Sequence, residues 1–342
     1  MTLFIRLLDA DNKAEAMAEA ITAVREGRDH PRVFEVNPES FAQVPGSPFA
    51  YWVSEEVREL FKKLPAFEGE GRRACFGLST KDDNAFLRLS WEVAAEQIGI
   101  IWIAFVKGGS FSQFYADPHL LIDWGNNGER LKAFAQYRTH QIFGVGSWSR
   151  WINNWNEYFR PGLTWPRRTN GLSFRVMPAG CIFADKGPAA FVAEDDPEML
   201  LALVALLNST PFKYLVGVQL ARTELAQSYE VGLIQRTPLP DIPDAIRQQL
   251  AAQARRAWSI QRQLDTTNET SHAFVLPALL RAKLGDWNPD ALKAELQQIQ
   301  AEIDAIAFDL YGFSPKDREA VARLNNVAPE AENPEEDEEL VR

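Results

Sequence analysis

The stretch Ile98-Gly-Ile-Ile-Trp-Ile-Ala-Phe-Val106 is a continuous apolar run of strand length. A run without polar residues is typical of a β-strand that is buried on both faces of its sheet. Shorter strand-like segments follow at residues 174–177 and 181–183. Hydrophobic residues make up 46% of the 342-residue chain, which is enough to bury a sizeable core. No apolar run reaches the roughly 18 residues that a membrane-spanning helix needs, so we expect no membrane segment.

The last third of the chain has the pattern of packed helices. Apolar residues recur there at spacings of four and three: Leu292, Leu296, Ile299, Ile303, Ile306 and Leu310. A matching stripe precedes them: Ile246, Leu250, Ala254, Ala257, Ile260 and Leu264. Such stripes pack either inside a helical hairpin or bundle, or against a partner subunit. The predicted fold class is therefore α+β, with a mixed β-sheet domain followed by a helical bundle.

Composition shifts divide the chain into four predicted parts. A helical connector covers residues 1–68, the α+β domain residues 69–243, and the helical bundle residues 244–325. The proline-rich segment 237–243 separates the last two, because no helix can cross it. Residues 326–342 are acidic and lack aromatic side chains, so we expect a disordered tail.

The charge distribution changes the meaning of the net charge. The total of −11 argues against a nucleic-acid partner. However, residues 329–342 alone carry seven acids and one base. Residues 138–176 carry six arginines against the single acid Glu157, together with four of the ten tryptophans. A local basic and aromatic segment inside an acidic protein indicates a polyanion partner.

Arginine and lysine bind phosphates, and arginine and asparagine also bind base edges. We therefore expect DNA contacts from the following residues: Lys107, Arg150, Asn153, Asn154, Arg160, Arg167, Arg168, Asn170 and Arg175. The alternative is that the tryptophans are core residues and the arginines a solvated face. Asn170-Gly171 has the sequence of a tight turn between strands. Lys107-Gly108-Gly109 either presents backbone N–H groups to a phosphate or is an ordinary turn.

The sequence offers little that supports catalysis or metal binding. It has no Walker A motif and no Gly-x-Ser-x-Gly elbow, and its four histidines lack metal-ligand spacing. Gly144-Val-Gly146 follows Ile142-Phe143 as a Gly-rich turn follows a strand, but a cofactor site also needs a following helix and an acid. Cys75 and Cys181 lie among apolar residues and are expected to be reduced core thiols of a cytosolic protein.

Several blocks of the chain, in order, resemble the target-recognition region of large adenine-specific DNA methyltransferases. The blocks are Gly77-Leu-Ser-Thr-Lys-Asp-Asp-Asn-Ala-Phe-Leu-Arg88, Trp91-Glu-Val93, Phe105-Val-Lys-Gly-Gly-Ser-Phe111, Ile122-Asp-Trp-Gly-Asn-Asn-Gly-Glu129, Tyr158-Phe-Arg-Pro-Gly-Leu-Thr-Trp165, Phe174-Arg175, Pro178-Ala-Gly-Cys-Ile-Phe183, Leu206-Leu-Asn-Ser-Thr210, Tyr229-Glu-Val-Gly232, Leu239-Pro240 and Ile303-Asp-Ala-Ile-Ala-Phe-Asp-Leu-Tyr-Gly312. The family includes the PglX methylases of BREX phage defence, the related methylase of DISARM systems, and fused type II restriction–modification enzymes. The resemblance covers roughly residues 40 to 320.

The resemblance implies a recognition component without the catalytic one. Family members carry an Asn-Pro-Pro-Tyr or Asp-Pro-Pro-Tyr motif, whereas this sequence has no Pro-Pro pair. The expected function is DNA recognition within an adenine-N6 methylation module of bacterial phage defence. Double-stranded DNA and a catalytic subunit that binds S-adenosylmethionine are the expected partners, with other defence-complex proteins as further ones. This chain itself is expected to hold no cofactor and no metal, and to be cytoplasmic.

Two other functions stay open at this stage. One is a complete or degenerate methyltransferase with its cofactor site at Phe143-Gly-Val-Gly146. The other is an acidic adaptor, or a DNA mimic, in a defence complex.

Deletion of residues 329–342 separates recognition from mimicry. A recognition module keeps or gains DNA affinity without these acids, because they repel phosphates. A mimic loses its protein partner instead. Duplex-DNA titrations and pull-downs with the full-length and shortened chains measure both properties.

Overall fold

The computed structural model describes residues 1–8, 10–220, 227–285 and 287–325. Its N-terminal part is an antiparallel two-stranded sheet with two helices: β1 (Thr2–Ile5), α1 (Lys13–Arg25), β2 (Val33–Val36) and α2 (Glu55–Lys63). Asn12 and Ser54 begin the helices, since each side chain accepts a hydrogen bond from a first-turn backbone N–H. The predicted acidic tail, residues 326–342, lies outside the described residues.

Two four-stranded sheets form the centre. Their strands and the short pair beside them are β3 (Arg73–Cys75), β4 (Leu87–Leu89), β5 (Trp102–Val106), β6 (Leu120–Asp123), β7 (Gly162–Thr164), β8 (Arg168–Thr169), β9 (Arg175–Met177), β10 (Ile182–Phe183), β11 (Ala189–Phe191) and β12 (Gln227–Ser228). The first sheet has the order β10-β5-β6-β4 and the second β3-β11-β7-β9. The β10–β5 pair is parallel and the remaining pairs of both sheets are antiparallel.

The apolar run at residues 98–106 forms a shorter strand than the sequence predicts. Only its second half is β5, and Gly99, with φ +84°, turns the chain before it. In β5, Ile103 and Phe105 are buried, while Trp102, Ala104 and Val106 are half-buried. Ile100 is 74% exposed. The prediction of one strand buried on both faces is therefore wrong, because the left-handed glycine breaks the run.

Asn170-Gly171 lies between two strands, as predicted, but these strands do not pair with each other. It links β8, which pairs with β12, to β9, which pairs with β7 in another sheet.

Helices make up the rest of the described chain. They are α3 (Asp83–Phe86), α4 (Gly125–Phe143), α5 (Pro197–Leu207), α6 (Thr210–Leu220), α7 (Val231–Arg236), α8 (Asp244–Leu264), α9 (Ala278–Leu284), α10 (Pro289–Tyr311) and α11 (Pro315–Asn325). Short 3-10 turns lie at Pro38–Gln43, Ser90–Glu92, Ala95–Gln97, Trp148–Arg150, Trp155–Glu157, Ala193–Asp195 and Asp265–Thr267. The mixed sheets and the C-terminal helical region confirm the α+β fold class.

The predicted helical stripes are core residues. On α8, Leu250, Ala254 and Ile260 are buried, and on α10, Ile299 and Ile303 are buried. Helix α8 packs against both α5 and α10. The stripes thus stabilise a helical layer that is continuous with the second sheet. The four domain boundaries predicted above stay a prediction.

In the described part of the chain, no single helix is long and apolar enough to cross a membrane. The bent pair α5 and α6 passes that test together by length and composition, and both helices are largely buried in the fold.

Asn208 joins the helical layer to the second sheet. It is fully buried between α5 and α6. Its Oδ1 accepts a hydrogen bond from the Phe174 backbone N–H (2.9 Å), and its Nδ2 donates to the Phe174 carbonyl (2.7 Å). Its own carbonyl accepts from the side-chain amides of Gln113 (3.4 Å) and Gln300 (3.2 Å). Asn208 therefore bonds through its side chain to the residue before β9, and through its backbone carbonyl to a loop and to α10.

Replacement of Asn208 should lower stability strongly. Asn208→Ala leaves the buried Phe174 N–H without a partner, while the Phe174 carbonyl keeps its hydrogen bond from the Phe114 N–H (2.8 Å). The loss should cost about 1–3 kcal/mol of the free energy of unfolding. Asn208→Asp should be no better at neutral pH, because a carboxylate oxygen then faces the Phe174 carbonyl. Urea denaturation measures both, with the exposed Asn84→Ala as the control, expected within about 0.5 kcal/mol of wild type. A stability of Asn208→Ala equal to that of the control would contradict this role.

Candidate nucleic-acid interface

The basic and aromatic segment, residues 138–176, lines part of a cleft of about 420 Å³. Three of the predicted contact residues line it: Arg150, Asn153 and Arg167. Lys81, from the loop between β3 and α3, adds another cation to the same cleft. Two acids also line it: Asp185 and Glu230. The fold therefore brings together cations and an amide from separate segments of the chain.

Aromatic rings hold two of these cations. The Arg150 guanidinium carbon lies 3.7 Å from the centroid of the Phe143 ring. The Lys81 Nζ lies 4.0 Å from the centroid of the Trp151 ring. A cation–π contact orients a side chain without neutralising its charge. Both cations thus remain available to an anion in the cleft.

The backbone of Arg167 is more firmly held than its side chain. Its N–H donates to the Lys186 carbonyl (3.0 Å), and its carbonyl accepts from the Tyr229 N–H (2.7 Å). The guanidinium makes longer contacts, to the Asp185 carbonyl (3.5 Å) and to Glu230 Oε1 (3.6 Å). Contacts of this length exchange readily for a closer anion.

Arg168 and Asn170 follow Arg167 in the chain and lie outside the lining of the cleft. We call residues 168–170 the strip. Both residues are exposed, and Arg168 begins β8. Their predicted DNA contacts stay a prediction, as do those of Arg150, Asn153 and Arg167.

Arg160 lies in an internal ion network instead. Its guanidinium donates to the carboxylates of Asp195 (2.7 Å) and Glu157 and to the Val192 carbonyl (3.0 Å). The hydrogen bonds that Arg160 donates to Asp195 raise the pKa of Arg160 above its ordinary value, although burial opposes this. We therefore assign Arg160 to the scaffold rather than to the interface.

Arg175 and Asn154 also serve the scaffold. Arg175 is only 4% exposed, and its guanidinium donates to the carbonyls of Gly108 and Ser110 (3.3 Å to the latter). Burial lowers the pKa of Arg175 to about 10. The Asn154 amide donates to the Phe76 carbonyl (2.8 Å). Both side chains are engaged by backbone carbonyls of other segments, so we leave both residues out of the proposed interface.

Lys107 forms an ion pair with Asp83 in a neighbouring cleft of about 310 Å³, which Lys81 also lines. Burial raises the pKa of Asp83, but hydrogen bonds from Lys107 and Thr80 outweigh it, so this pKa lies below its ordinary value. The loop after Lys107 turns two carbonyls towards Arg175. This arrangement favours the ordinary-turn interpretation of residues 107–109 over a phosphate loop.

The proposed cofactor turn does not fit its context. Ile142 and Phe143 are the last residues of α4, not the end of a strand, and Gly144 caps that helix in a left-handed conformation. Cofactor loops lie between a strand and the N-terminus of a helix, where backbone N–H groups are free. Residues 144–146 follow a helix C-terminus, so they do not fit S-adenosylmethionine, and the prediction of a strand there is wrong.

The described residues contain neither a metal-binding cluster nor a reactive thiol. Among the described residues, no three His, Cys, Asp or Glu side chains are grouped to hold a metal ion. Cys75 and Cys181 are buried free thiols, as predicted from their apolar neighbours. Burial raises the pKa of Cys75 to about 12 and that of Cys181 to about 11, which keeps both protonated.

Two cations of the clefts were absent from the predicted set: Lys81 and Lys186. Lys81 lies within the first block that resembles the methyltransferases, and its positive φ of 61° marks a tight turn. That block was the available signal for Lys81. For Lys186 we find no comparable signal in the sequence.

Comparison with known proteins gives these features a context. No family model matches the chain. It is 26% identical to the adenine-specific methyltransferase PglX of Lacticaseibacillus casei (strain Zhang), over 90% of this chain and 26% of that protein. It is 30% identical to the adenine-specific methyltransferase BrxX of Escherichia coli O9:H4 (strain HS), over 51% of this chain and 14% of that protein. The relatives are adenine-specific methyltransferases. The chain spans about a quarter or less of their length.

Solved structures of restriction–modification enzymes are also similar. The type IIL restriction–modification enzyme MmeI, solved in complex with DNA, matches 78% of this chain and 36% of its own, with a TM-score of 0.49 and 15% identity. The type IIG restriction endonuclease BpuSI matches 87% of this chain and 39% of its own, with a TM-score of 0.40 and 9% identity.

The division between scaffold and surface arginines is testable by stability. Arg175→Met removes the hydrogen bonds that the buried guanidinium donates to the Gly108 and Ser110 carbonyls, and should lower the free energy of unfolding by about 2–4 kcal/mol. Arg168→Met, the matched exposed variant, should change it by less than about 0.5 kcal/mol. Denaturant unfolding of the two variants measures the difference. Equal effects would show that the assignment is mistaken.

Proposed function

We propose that this chain is the DNA-recognition part of an adenine-N6 DNA methyltransferase module in bacterial phage defence. The observation that carries the proposal is the cleft in which Lys81, Arg150, Asn153 and Arg167 meet. The similarity to the PglX and BrxX methyltransferases, over 90% and 51% of this chain, supports the choice of partner and of module. We further propose that the module works in the cytoplasm, on double-stranded DNA.

In this proposal the residues divide their work by chemistry. Lys81, Arg167 and Arg168 contact phosphates, because their charges are accessible and because attraction to a phosphate does not depend on the base it carries. Arg150 and Asn153 read base edges, since a guanidinium and an amide form paired hydrogen bonds with guanine and adenine. Asn170 lies beside Arg168 and extends the contact along the strip.

Methyl transfer belongs to another part of the module. The 342 residues contain no Pro-Pro pair and hence none of the family's catalytic motif. In the proposal a separate catalytic subunit binds S-adenosylmethionine. The recognition part holds the duplex while the target adenine leaves the stack for that subunit's pocket.

The acidic total charge does not oppose DNA binding by this surface. Residues 131–156 contain Lys132, Arg138 and Arg150 and no acid. Most of the excess acid lies elsewhere, with seven acids in residues 329–342 alone. Salt screens charges that lie more than about 8–10 Å away, so the three cations and two acids that line the cleft govern its contact with phosphates.

Alanine variants of the cleft test the proposal. The DNA is a duplex that the full chain selects from a random-sequence pool. Arg150→Ala should cost about 1–3 kcal/mol of binding free energy and relax the preference at one position. Arg167→Ala and Arg168→Ala should weaken all sequences alike and each lower the salt slope by about one. Fluorescence anisotropy at several salt concentrations measures both effects.

Arg255→Ala is the control, because it removes one exposed charge from the helical bundle. Its DNA affinity should match that of wild type. Unchanged binding by both Arg167→Ala and Arg168→Ala, or an equal loss in Arg255→Ala, would rule out this interface.

A further inference from the structure

The end of α4 and the loop after it carry an apolar tip made of Ile142, Phe143 and Val145. These side chains are 54%, 42% and 74% exposed. Adjacent exposed apolar side chains are unfavourable in water and mark a contact surface. Val145, which lies between two glycines, is the most exposed of the three.

The tip is rigidly mounted. The Gln136 side chain donates to the Gly146 carbonyl (2.7 Å) and accepts from the Trp148 N–H (2.9 Å). Gly144 and Gly146 have φ values of +73° and +130°, and a Cβ on Gly146 would lie 2.7 Å from the Thr139 methyl group. The loop therefore needs both glycines, and its conformation is braced from α4.

The charges around the tip favour a polyanion. Residues 131–156 contain three bases and no acid. The Phe143 ring lies against the Arg150 guanidinium and 6.3 Å from the centroid of Trp151, and both of these residues line the basic cleft. The apolar tip is thus continuous with the cations of the cleft.

We propose that the tip is a wedge that inserts into a base step of the duplex held by the cleft. This inference rests on the proposed function. Apolar side chains that enter a base step unstack it and kink the duplex, while nearby cations hold the phosphates. A rigid apolar projection beside cations provides both the inserting side chains and the phosphate contacts that such a kink requires.

The test measures base stacking directly. The full chain is bound to its selected duplex with 2-aminopurine placed at successive positions. Wild type should raise the fluorescence at one step, which reports unstacking. The double variant Ile142→Ser/Val145→Ser should abolish that signal and weaken binding on the order of 10-fold. Its salt slope should stay unchanged, because the phosphate contacts remain.

Leu279→Ser is the matched control, since Leu279 is 80% exposed on α9 and outside the cleft. It should retain both signal and affinity, and thermal melting should show that all variants fold. If wild type binds no duplex, the proposed function fails and the wedge with it. If wild type binds but unstacks no step, or the double variant still unstacks it, the wedge alone is overturned. A double variant that loses an acidic protein partner and keeps DNA binding would make the tip a protein-docking surface.

Discussion

The paired hydrogen bonds between the Asn208 amide and the Phe174 backbone are the constraint on which the geometry of the basic cleft depends. They fix the start of β9 against the junction of α5 and α6. Trp165 packs on the Phe174 ring, with centroids 5.2 Å apart, and donates through Nε1 to the Tyr229 carbonyl (2.9 Å). Tyr229 in turn holds the backbone of Arg167. The position of a cleft cation is therefore set by a buried amide in the helical layer.

The arginines of the basic segment divide according to what surrounds them. Arg160 and Arg175 reach carbonyls and carboxylates of distant segments and become scaffold residues. Arg150 meets an aromatic ring, which orients it but leaves its charge uncompensated. A folded chain thus uses one residue type for two purposes: inside, where hydrogen bonds repay desolvation, and outside, where charge attracts an anion.

Periodicity made the helices predictable, because a stripe such as that of Leu250, Ala254 and Ile260 is a local property of the chain. The fold class followed from such patterns. The fate of each arginine did not, since the partners of Arg160 and Arg175 lie 35 and 67 residues away in sequence. The apolar run at residues 98–106 failed as a strand because hydrophobicity reports burial poorly where a glycine turns the chain. The sequence indicated which segment is rich in cations and aromatic rings, but not which of its arginines would be engaged inside the fold.

The buried bracing residues and the outward-facing residues are separate sets, so the surface tolerates substitution. Stability resides in buried contacts such as those of Asn208 and Arg175, where a lost partner costs several kcal/mol. The groups that face outward, among them Arg150 and Arg168, stabilise little in the folded chain. Substitutions at outward positions alter what the surface contacts while the braces beneath keep its shape. A loop-built interface on rigid supports therefore permits new contact chemistry without loss of the fold.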